Sequence, residues 1–381
     1  MSPAWPGSSE ESEAPLRLLV SAGGTGGGVY PALAVVAALG ARSEVLWVGG
    51  EGGMEADLVR RAGIPFEAIP AAGVHGVGVR ALPGSLMRLA RGIPAARRVI
   101  ARFQPDVLFF TGGYVGVPVA VAGQRLPQAV FVPDIEPALA LRLISRFADV
   151  ITVTTEESQA YHPASKRVVV TSYPARPDLG AATQQDARRR LGLRADLPAL
   201  LVFGGSRGAR SINEALWACL PELLGAGDMN HLSGALDWNR VPEVRSGLQV
   251  DLSERYHPYA YLHEEMGSAL AAADLAVSRA GAATLGEYPR LGLPAILVPY
   301  PHAWRYQKVN AAYLEQRGVA IILEDKDLKE NLAAAVLELL EDRERLEAMR
   351  RAARALDRPD AARRIAAEIE RLAMGREAIR G

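Results

Sequence analysis

The fold is indicated first by an apolar run that ends in a glycine-rich turn, LRLLVSAGGTGGGVYPALAV at 16–35. The run predicts a buried strand over Leu16–Ser21, and Pro31 favours a helix over Pro31–Leu39. Five glycines lie within the six positions from 23 to 28, more than a turn alone requires. Glycines let backbone N–H groups approach a ligand, and a helix N-terminus favours an anion. The segment therefore predicts a phosphate-binding turn.

The same design returns in ALLVFGGSRGA at 199–209, where a strand over 199–203 and a glycine turn precede a helix expected over 211–224. Other apolar runs of strand length lie at 45–48, 106–110, 128–132, 150–154, 275–278 and 295–298. Buried strands separated by helical lengths imply parallel βαβ units. The sequence thus predicts an α/β protein with two Rossmann-like, doubly wound parallel-sheet domains and a cleft between them.

The expected domains are 16–176 and 177–358, with a break at Pro359 that frees a helix over 360–374 to pack back on the first domain. Residues 1–15 are polar, acidic and proline-bearing, so they are expected to be a disordered tail and not a signal peptide.

Composition excludes several classes of function. Lysine plus arginine equals aspartate plus glutamate at 43 each, so no overall field attracts nucleic acid. The single Cys219 rules out a disulfide framework or a cysteine metal cluster, and the histidines lack ligand spacing. Asp325-Lys326-Asp327 matches the DxD pattern of metal-dependent sugar transferases but is expected to be a solvated turn. We therefore expect neither a metal nor a cofactor.

Two later segments carry polar groups beside predicted strands. In SRAGAATLGEYPRLGLP at 278–294, small residues at 280–283 precede a helix, and Glu287 lies one helical turn past Thr284. A carboxylate there can accept hydrogen bonds from both hydroxyls of a ribose. In PHAWRYQKVNA at 301–311, His302, Arg305, Gln307 and Asn310 follow a strand, at the sheet edge where α/β domains bind ligands.

A basic amphipathic stretch covers 76–102. No acidic residue occurs between Glu67 and Asp106, whereas arginines and large apolar residues alternate there. Such a stretch suits anionic lipid head groups. A helix packed on the core with a basic, solvated face is an equally good interpretation.

Taken in order, these motifs resemble the MurG family, the lipid I N-acetylglucosaminyltransferases of peptidoglycan synthesis. The similarity rests on AGGTGG, GGMEADLVRRAGIPF, TGGYVGVP, GGSRGA, SRAGAATLGE and the pattern HxxxxQxxNA, and it spans roughly 16–372. It implies the GT-B fold and inverting transfer of N-acetylglucosamine from UDP to the 4-hydroxyl of the muramoyl group of lipid I. The implied place is the cytoplasmic face of an anionic membrane, bound peripherally through 76–102.

The resemblance also implies the residues that bind the substrates. The second domain would hold UDP-N-acetylglucosamine, with Leu262 at the uracil, 282–287 at the diphosphate and ribose, and Gln307 at the sugar. The implied substrate-binding residues are Thr25, Gly26, Gly27, Asp134, Arg176, Ser206, Leu262, Ala282, Ala283, Thr284, Leu285, Gly286, Glu287 and Gln307.

Two departures from the family pattern leave the general base open. Gly28 stands where the family has a histidine, and FVPD at 131–134 replaces its HEQN segment. Asp134 and Glu136 are the nearest candidate bases by sequence. Other functions remain: a GT-B transferase with another glycolipid or natural-product acceptor, or a weakened homologue that only binds the UDP-sugar. A nicotinamide-dependent dehydrogenase is disfavoured because the first turn has no GxGxxG frame.

Overall fold

The computed structural model describes residues 15–23, 26–73, 82–205, 208–301 and 305–380. The described residues form two parallel sheets, each covered by helices on both faces. The expected disordered tail lies outside them, apart from Pro15, as do Thr25, Ser206 and 76–81 of the basic stretch.

The first sheet has seven strands in the order β3-β2-β1-β4-β5-β6-β7. Every neighbouring pair is parallel. The strands are β1 Leu16–Ser21, β2 Ser43–Gly50, β3 Phe66–Ile69, β4 Val107–Phe110, β5 Gln128–Val132, β6 Val150–Val153 and β7 Val168–Val170. The helices between them are α1 Gly26–Leu39, α2 Glu55–Arg61, α3 Leu82–Phe103, α4 Gly116–Ala122 and α5 Leu139–Ile144.

The second sheet has six parallel strands in the order β10-β9-β8-β11-β12-β13. They are β8 Ala199–Phe203, β9 Asp228–Leu232, β10 Tyr256–Tyr259, β11 Leu275–Ser278, β12 Ala295–Leu297 and β13 Ala320–Ile322. Their helices are α6 Gln184–Leu191, α7 Arg210–Ala218, α8 Leu220–Ala226, α9 Val241–Ser246, α10 Val250–Arg255, α11 Met266–Ala272, α12 Thr284–Leu291, α13 Tyr306–Gln316, α14 Leu328–Glu341 and α15 Arg343–Ala355. Short 3-10 turns cover Gly40–Arg42, Glu156–Tyr161, Trp238–Arg240 and Asp325–Asp327.

The two doubly wound parallel sheets confirm the predicted fold class. In both sheets the order reverses beside the first strand, and the glycine-rich turns follow β1 and β8 at these switch points, where such sheets bind ligands.

Two predicted helices differ from the observed ones. The first helix begins at Gly26, five residues before Pro31, so the last three glycines form its first turn. The helix expected over 211–224 is two helices, α7 and α8, because Cys219 leaves helical geometry just before Pro221.

The last helix, α16 (Ala361–Arg380), returns to the first sheet. Its Ile365 and Ile369 are fully buried in the core cluster that contains Leu18, Val20 and Phe131. The chain therefore crosses between the sheets twice, before α6 and again after α15.

Candidate active site in the cleft between the two sheets

A cleft of about 1120 Å³ lies between the carboxyl ends of the two sets of strands. Residues from both sheets line it, as the predicted arrangement requires. The first sheet contributes the α1 turn, the turn after β4 and the segment after β5. The second contributes the turns after β8 and β11 and the start of α13. The predicted site residues in its lining are Gly26, Gly27, Asp134, Arg176, Leu262, Ala282, Ala283, Thr284, Glu287 and Gln307.

The glycine turn after β1 packs directly against the turn after β4. Gly113 has φ +82°, and a Cβ there would lie 2.8 Å from the carbonyl oxygen of Gly23, so both turns depend on bare backbone. The hydroxyl of Thr111 donates to the carbonyl of Gly28 and fixes the start of α1. These contacts bring two backbone turns together at the cleft wall.

Gly28, the position of the missing family histidine, differs from its neighbours. A Cβ built there would meet its nearest atom, the carbonyl oxygen of Thr111, at an ordinary 3.5 Å. The backbone of α1 at this position would therefore accept a Cβ without rearrangement.

Asp134 lies just after β5 and faces the second domain. The side-chain amide of Asn310, on α13, donates to its carboxylate at 2.8 Å. Burial raises the pKa of Asp134 to about 6, although the hydrogen bond from Asn310 opposes this rise. A carboxylate with a pKa near the working pH is suited to accept a proton.

Glu136, the other candidate base, does not line the cleft. Its carboxylate is buried and pairs with Arg142 at 2.7 Å and with Arg305 at 3.4 Å. Both oxygens of this carboxylate are therefore paired with arginines. Of the two candidate bases predicted from the sequence, Asp134 is the one that lines the cleft.

The turn after β8 again relies on glycine. Gly208 has φ +76°, and a Cβ on it would lie 2.5 Å from the carbonyl oxygen of Ser233. Gly204 and Gly205 line the same part of the cleft. The backbone therefore approaches the cleft closely at this second turn, as predicted.

The turn before α12 offers unpaired amides. Within the described residues, the N–H groups of Ala282 and Ala283 make no hydrogen bond, and both residues line the cleft. The Thr284 hydroxyl donates to the carbonyl of Gly281 at 2.7 Å and closes the turn. Free amides at a helix N-terminus provide a site for an anion.

Leu285 and Gly286, implied by the resemblance, lie behind this turn and not in the cleft lining. Leu285 is buried in the core of the second domain. A Cβ on Gly286 would lie 2.4 Å from the ring of Tyr173, so this glycine allows α12 to pack against the crossover segment. Both residues support the turn from behind.

Glu287 faces the cleft from the first turn of α12. No hydrogen bond to its carboxylate forms within the described residues, and burial raises its pKa to about 7. The nearby charge of Arg176 opposes this rise. An unpartnered, buried carboxylate in a cleft wall is available to accept hydrogen bonds from ligand hydroxyls.

Arg176 lies on the first crossover between the domains. Its guanidinium donates to Asp178 at 2.9 Å and to the carbonyl of His263 at 3.3 Å. It also lies 4.8 Å from the ring centroid of Tyr30, on the first domain. Arg176 therefore contacts both walls of the cleft.

Leu262 and Gln307 complete the second-domain wall. Leu262 lines the cleft although it is mostly buried. The side-chain oxygen of Gln307 accepts a hydrogen bond from the backbone N–H of Tyr300 at 2.8 Å, which fixes the end of its side chain. His302, singled out from sequence, lies outside the described residues.

The sequence analysis missed one polar cluster at this edge. Arg279, directly after β11, pairs with Asp325 and donates to the Ser211 hydroxyl at 2.8 Å, while its guanidinium lies 5.2 Å from the Tyr300 ring centroid. Asp325, expected in a solvated turn, thus lines the cleft. The position of these residues in the sequence could have indicated the cluster. Arg279 follows β11, Asp325 follows β13, and Ser211 lies at the start of α7, the helix after β8.

Within the described ranges, no group of three or more histidine, cysteine or acidic side chains could hold a metal ion.

Among the helices of the described residues, none combines the length and the apolar composition of a membrane span. Residues 82–102 of the basic stretch lie in α3, on which Leu86 and Met87 are 54% and 57% exposed beside exposed arginines.

Comparison with known proteins agrees with this architecture. The glycosyltransferase family 28 N-terminal domain matches 18–153, and the C-terminal domain of the same family matches 199–365. An Acinetobacter baumannii MurG crystal structure superposes with a TM-score of 0.71 at 27% identity, covering 94% of this chain and 100% of that one. A calicheamicin glycosyltransferase, CalG4, shares the fold at 17% identity and a TM-score of 0.64 over 94% of this chain and 98% of its own.

Curated relatives are similar over nearly their whole length. A protein of Roseiflexus sp. is 40% identical over 95% of this chain and 96% of its own, and one of Desulforudis audaxviator is 37% identical over 94% and 99%. Both are named UDP-N-acetylglucosamine–N-acetylmuramyl-(pentapeptide) pyrophosphoryl-undecaprenol N-acetylglucosamine transferase. The chain therefore belongs to glycosyltransferase family 28, and within it to the MurG family of glycosyltransferases.

Proposed function

We propose that this enzyme transfers N-acetylglucosamine from UDP-N-acetylglucosamine to the 4-hydroxyl of the muramoyl group of lipid I, forming lipid II with inversion at the anomeric carbon. One observation carries the proposal. A helix N-terminus with free amides and a buried carboxylate, Ala282 to Glu287, lines the same cleft of about 1120 Å³ as the carboxylate of Asp134.

The second domain, 177–358, would bind the donor. The amides of Ala282 and Ala283 would hold the diphosphate, and Glu287 would accept from the ribose hydroxyls. Leu262 would frame the uracil, and Gln307 would contact the sugar. Thr25 and Ser206, outside the described residues, complete the donor contacts implied by the resemblance.

The first domain, 16–176, would present the acceptor. Asp134 would take the proton from the 4-hydroxyl while the oxygen of that hydroxyl attacks the anomeric carbon and the bond to UDP breaks. The negative charge that develops on UDP would be stabilised by the amides before α12 and by Arg176. Closure of the two domains would exclude water from the reaction.

The acceptor is lipid-linked, so we place α3 against the cytoplasmic face of an anionic membrane. Leu86 and Met87 are exposed on this helix, with Arg88 and Arg91 close by in sequence and also exposed. Exposed apolar side chains among basic ones suit the interface of a lipid layer.

A second candidate is a homologue that binds the UDP-sugar but transfers it poorly, which the replacement of the family histidine by Gly28 favours. A transferase with another glycolipid or natural-product acceptor is the third. The test is UDP release from UDP-N-acetylglucosamine with and without a lipid I analogue. Acceptor-dependent release of UDP with formation of the disaccharide supports transfer to lipid I. Donor binding without acceptor-dependent release contradicts it and supports the binding protein, and transfer to another acceptor alone supports the third candidate.

A further inference from the structure

We propose that Asn310 is a positioning residue that holds the carboxylate of Asp134 against the donor-binding domain, so that the base of one domain is aligned by the other. The inference rests on the proposed function, because it assigns Asp134 the proton of the acceptor hydroxyl.

The side chain of Asn310 makes three hydrogen bonds, and all of its polar atoms are used. Its amide nitrogen donates to Asp134 at 2.8 Å and to the carbonyl of Ala280 at 3.2 Å. Its oxygen accepts from the backbone N–H of Ile135 at 3.2 Å. Asn310 is fully buried and lies outside the cleft lining, so it contacts no substrate. Its bonds instead join α13 to the segment after β5.

The second-domain groups next to Asn310 belong to the turn and the helix of the proposed donor site. Ala280 lies in the turn that leads to the free amides of Ala282 and Ala283. Gln307 lies one turn before Asn310 on α13 and lines the cleft. The position of Asp134 therefore depends on the same turn and helix that would contact the donor.

The pKa of Asp134 provides a measure of its hydrogen bond with Asn310. Among the described residues, the ionisable groups that respond to its charge are Tyr173, on the crossover segment, and Tyr306, on α13. Burial raises the pKa of each, and the negative charge of Asp134 raises it further. The Asn310 amide favours the ionised form of Asp134, whereas burial disfavours it. Loss of the amide donor therefore raises the pKa of Asp134.

The experiment measures kcat and kcat/KM against pH for the full chain and for Asn310→Ala. We expect kcat to fall about tenfold or more, the KM for the donor to stay within about twofold, and the acid limb of kcat/KM to move up by about one pH unit. Asn310→Asp places a second carboxylate beside Asp134, so its acid limb should move further in the same direction.

A matched control is Gln128→Ala. Gln128 is also fully buried and donates two hydrogen bonds, to the carbonyls of Ala120 and Gly123 at 3.0 and 3.1 Å, but it lies at the other end of β5. Its loss should destabilise the protein and leave the acid limb in place. A fall in kcat for Asn310→Ala with an unmoved acid limb overturns the proposal, because a purely structural residue gives that result.

The exchange variant, Asp134→Asn with Asn310→Asp, keeps the proposal testable if the single variants fold poorly. It restores a bond between amide and carboxylate and should recover the melting temperature, but it moves the carboxylate to α13, so activity should stay low. Recovered activity contradicts the inference. If the unchanged protein does not transfer the sugar, the proposed function fails; an active parent whose variants keep its pH profile rejects only the role of Asn310.

Discussion

The two sheets share one strand order, but the edges at which their strands end differ in chemistry. Both place a glycine-rich turn after the first strand, at the switch point of the sheet. The edge of the first sheet then carries mainly bare backbone and the carboxylate of Asp134, whereas the second carries Glu287, Gln307 and the pair Arg279–Asp325. The shared topology fixes where a ligand can lie, and the side chains after the strands decide what each domain binds.

The two glycine turns also differ in how strictly they require glycine. Gly208 has a left-handed backbone and no room for a Cβ, because the Ser233 carbonyl would lie 2.5 Å away. Gly28 lies in α1, where a Cβ would make only ordinary contacts, the nearest with the Thr111 carbonyl oxygen at 3.5 Å. The second turn is therefore fixed by geometry, whereas position 28 of the first can hold another residue.

The largest expected effect tests the carboxylate of Asp134, in the first edge. Asp134→Asn should lower kcat by about a thousandfold, because it removes the proposed proton acceptor, and it should leave UDP affinity nearly unchanged. Steady-state kinetics and calorimetric UDP titration measure the two quantities. Full turnover by the variant would rule out Asp134 as the base.

Substitution of Gly208 should break the second turn. Gly208→Ala combines a left-handed backbone with a clash against the Ser233 carbonyl, so we expect the free energy of unfolding to fall by about 3 kcal/mol. Urea denaturation measures this loss, and Gly28→Ala is the matched control, expected to change stability by less than about 1 kcal/mol. Equal losses in both variants would show that the turns do not differ as described.

Glu287→Gln should weaken donor binding by about 10- to 100-fold, since a buried amide replaces the carboxylate that accepts from the ribose. The unchanged protein should bind UDP more weakly as the pH falls below about 7, because the ionised carboxylate is then lost. Binding isotherms between pH 5.5 and pH 8.5 test both expectations. If UDP affinity changes neither with pH nor with the substitution, Glu287 does not contact the donor.

The same carboxylate should affect stability in the opposite direction. The pKa of Glu287 in the folded protein, about 7, lies above its ordinary value of 4.5, so the native state binds the proton more tightly than the unfolded state. Its contribution to stability is therefore lost as the pH rises from about 4 to 7. Glu287→Gln should be more stable than the unchanged protein by up to about 3 kcal/mol at pH 8, and equal to it near pH 4. Melting curves measured across this pH range test the expectation. A difference in stability between the two proteins that does not change with pH would contradict it.

The smallest expected effect concerns position 28, in the glycine-rich turn after β1. Gly28→His restores the family residue where a Cβ meets no atom closer than 3.5 Å, so stability should change by less than about 1 kcal/mol. We expect turnover to rise a few fold if the missing imidazole limits the reaction. A variant that is stable but less active than its parent would show that this turn has adapted to glycine.

Sequence patterns predicted most of the longer, mainly apolar strands but missed the three-residue strands β7 and β13, although both are apolar. The predicted bounds of β1, β5, β8 and β11 match the structure. By contrast, β9 and β10 were missed because DMNHL and YHPY do not look like buried strands. All of β9 and Tyr256 of β10 are nevertheless buried. There His231 bonds to Asn213 at 3.0 Å and to the Tyr256 hydroxyl at 2.7 Å, contacts between residues distant in sequence.

The site shows the same limit. Motifs indicated the glycine turns, Glu287 and Gln307, because these lie in turns after strands or in the first turns of the helices that follow. They could not separate Asp134, which faces the cleft, from Glu136, which is held by two arginines two residues later. Neither could they pair Asn310 with Asp134, since that bond joins residues 176 positions apart.

The return of α16 to the first sheet has a consequence for synthesis of the chain. Ile365 and Ile369 fill a core that also contains Leu18 and Val20. A ribosome that has made the first 360 residues has therefore delivered all of the first sheet but not the helix that covers it. The apolar patch on that sheet stays open until α16 has been made, so the second domain can be complete before the first. A chain that stops before α16 exposes that patch to chaperones and proteases.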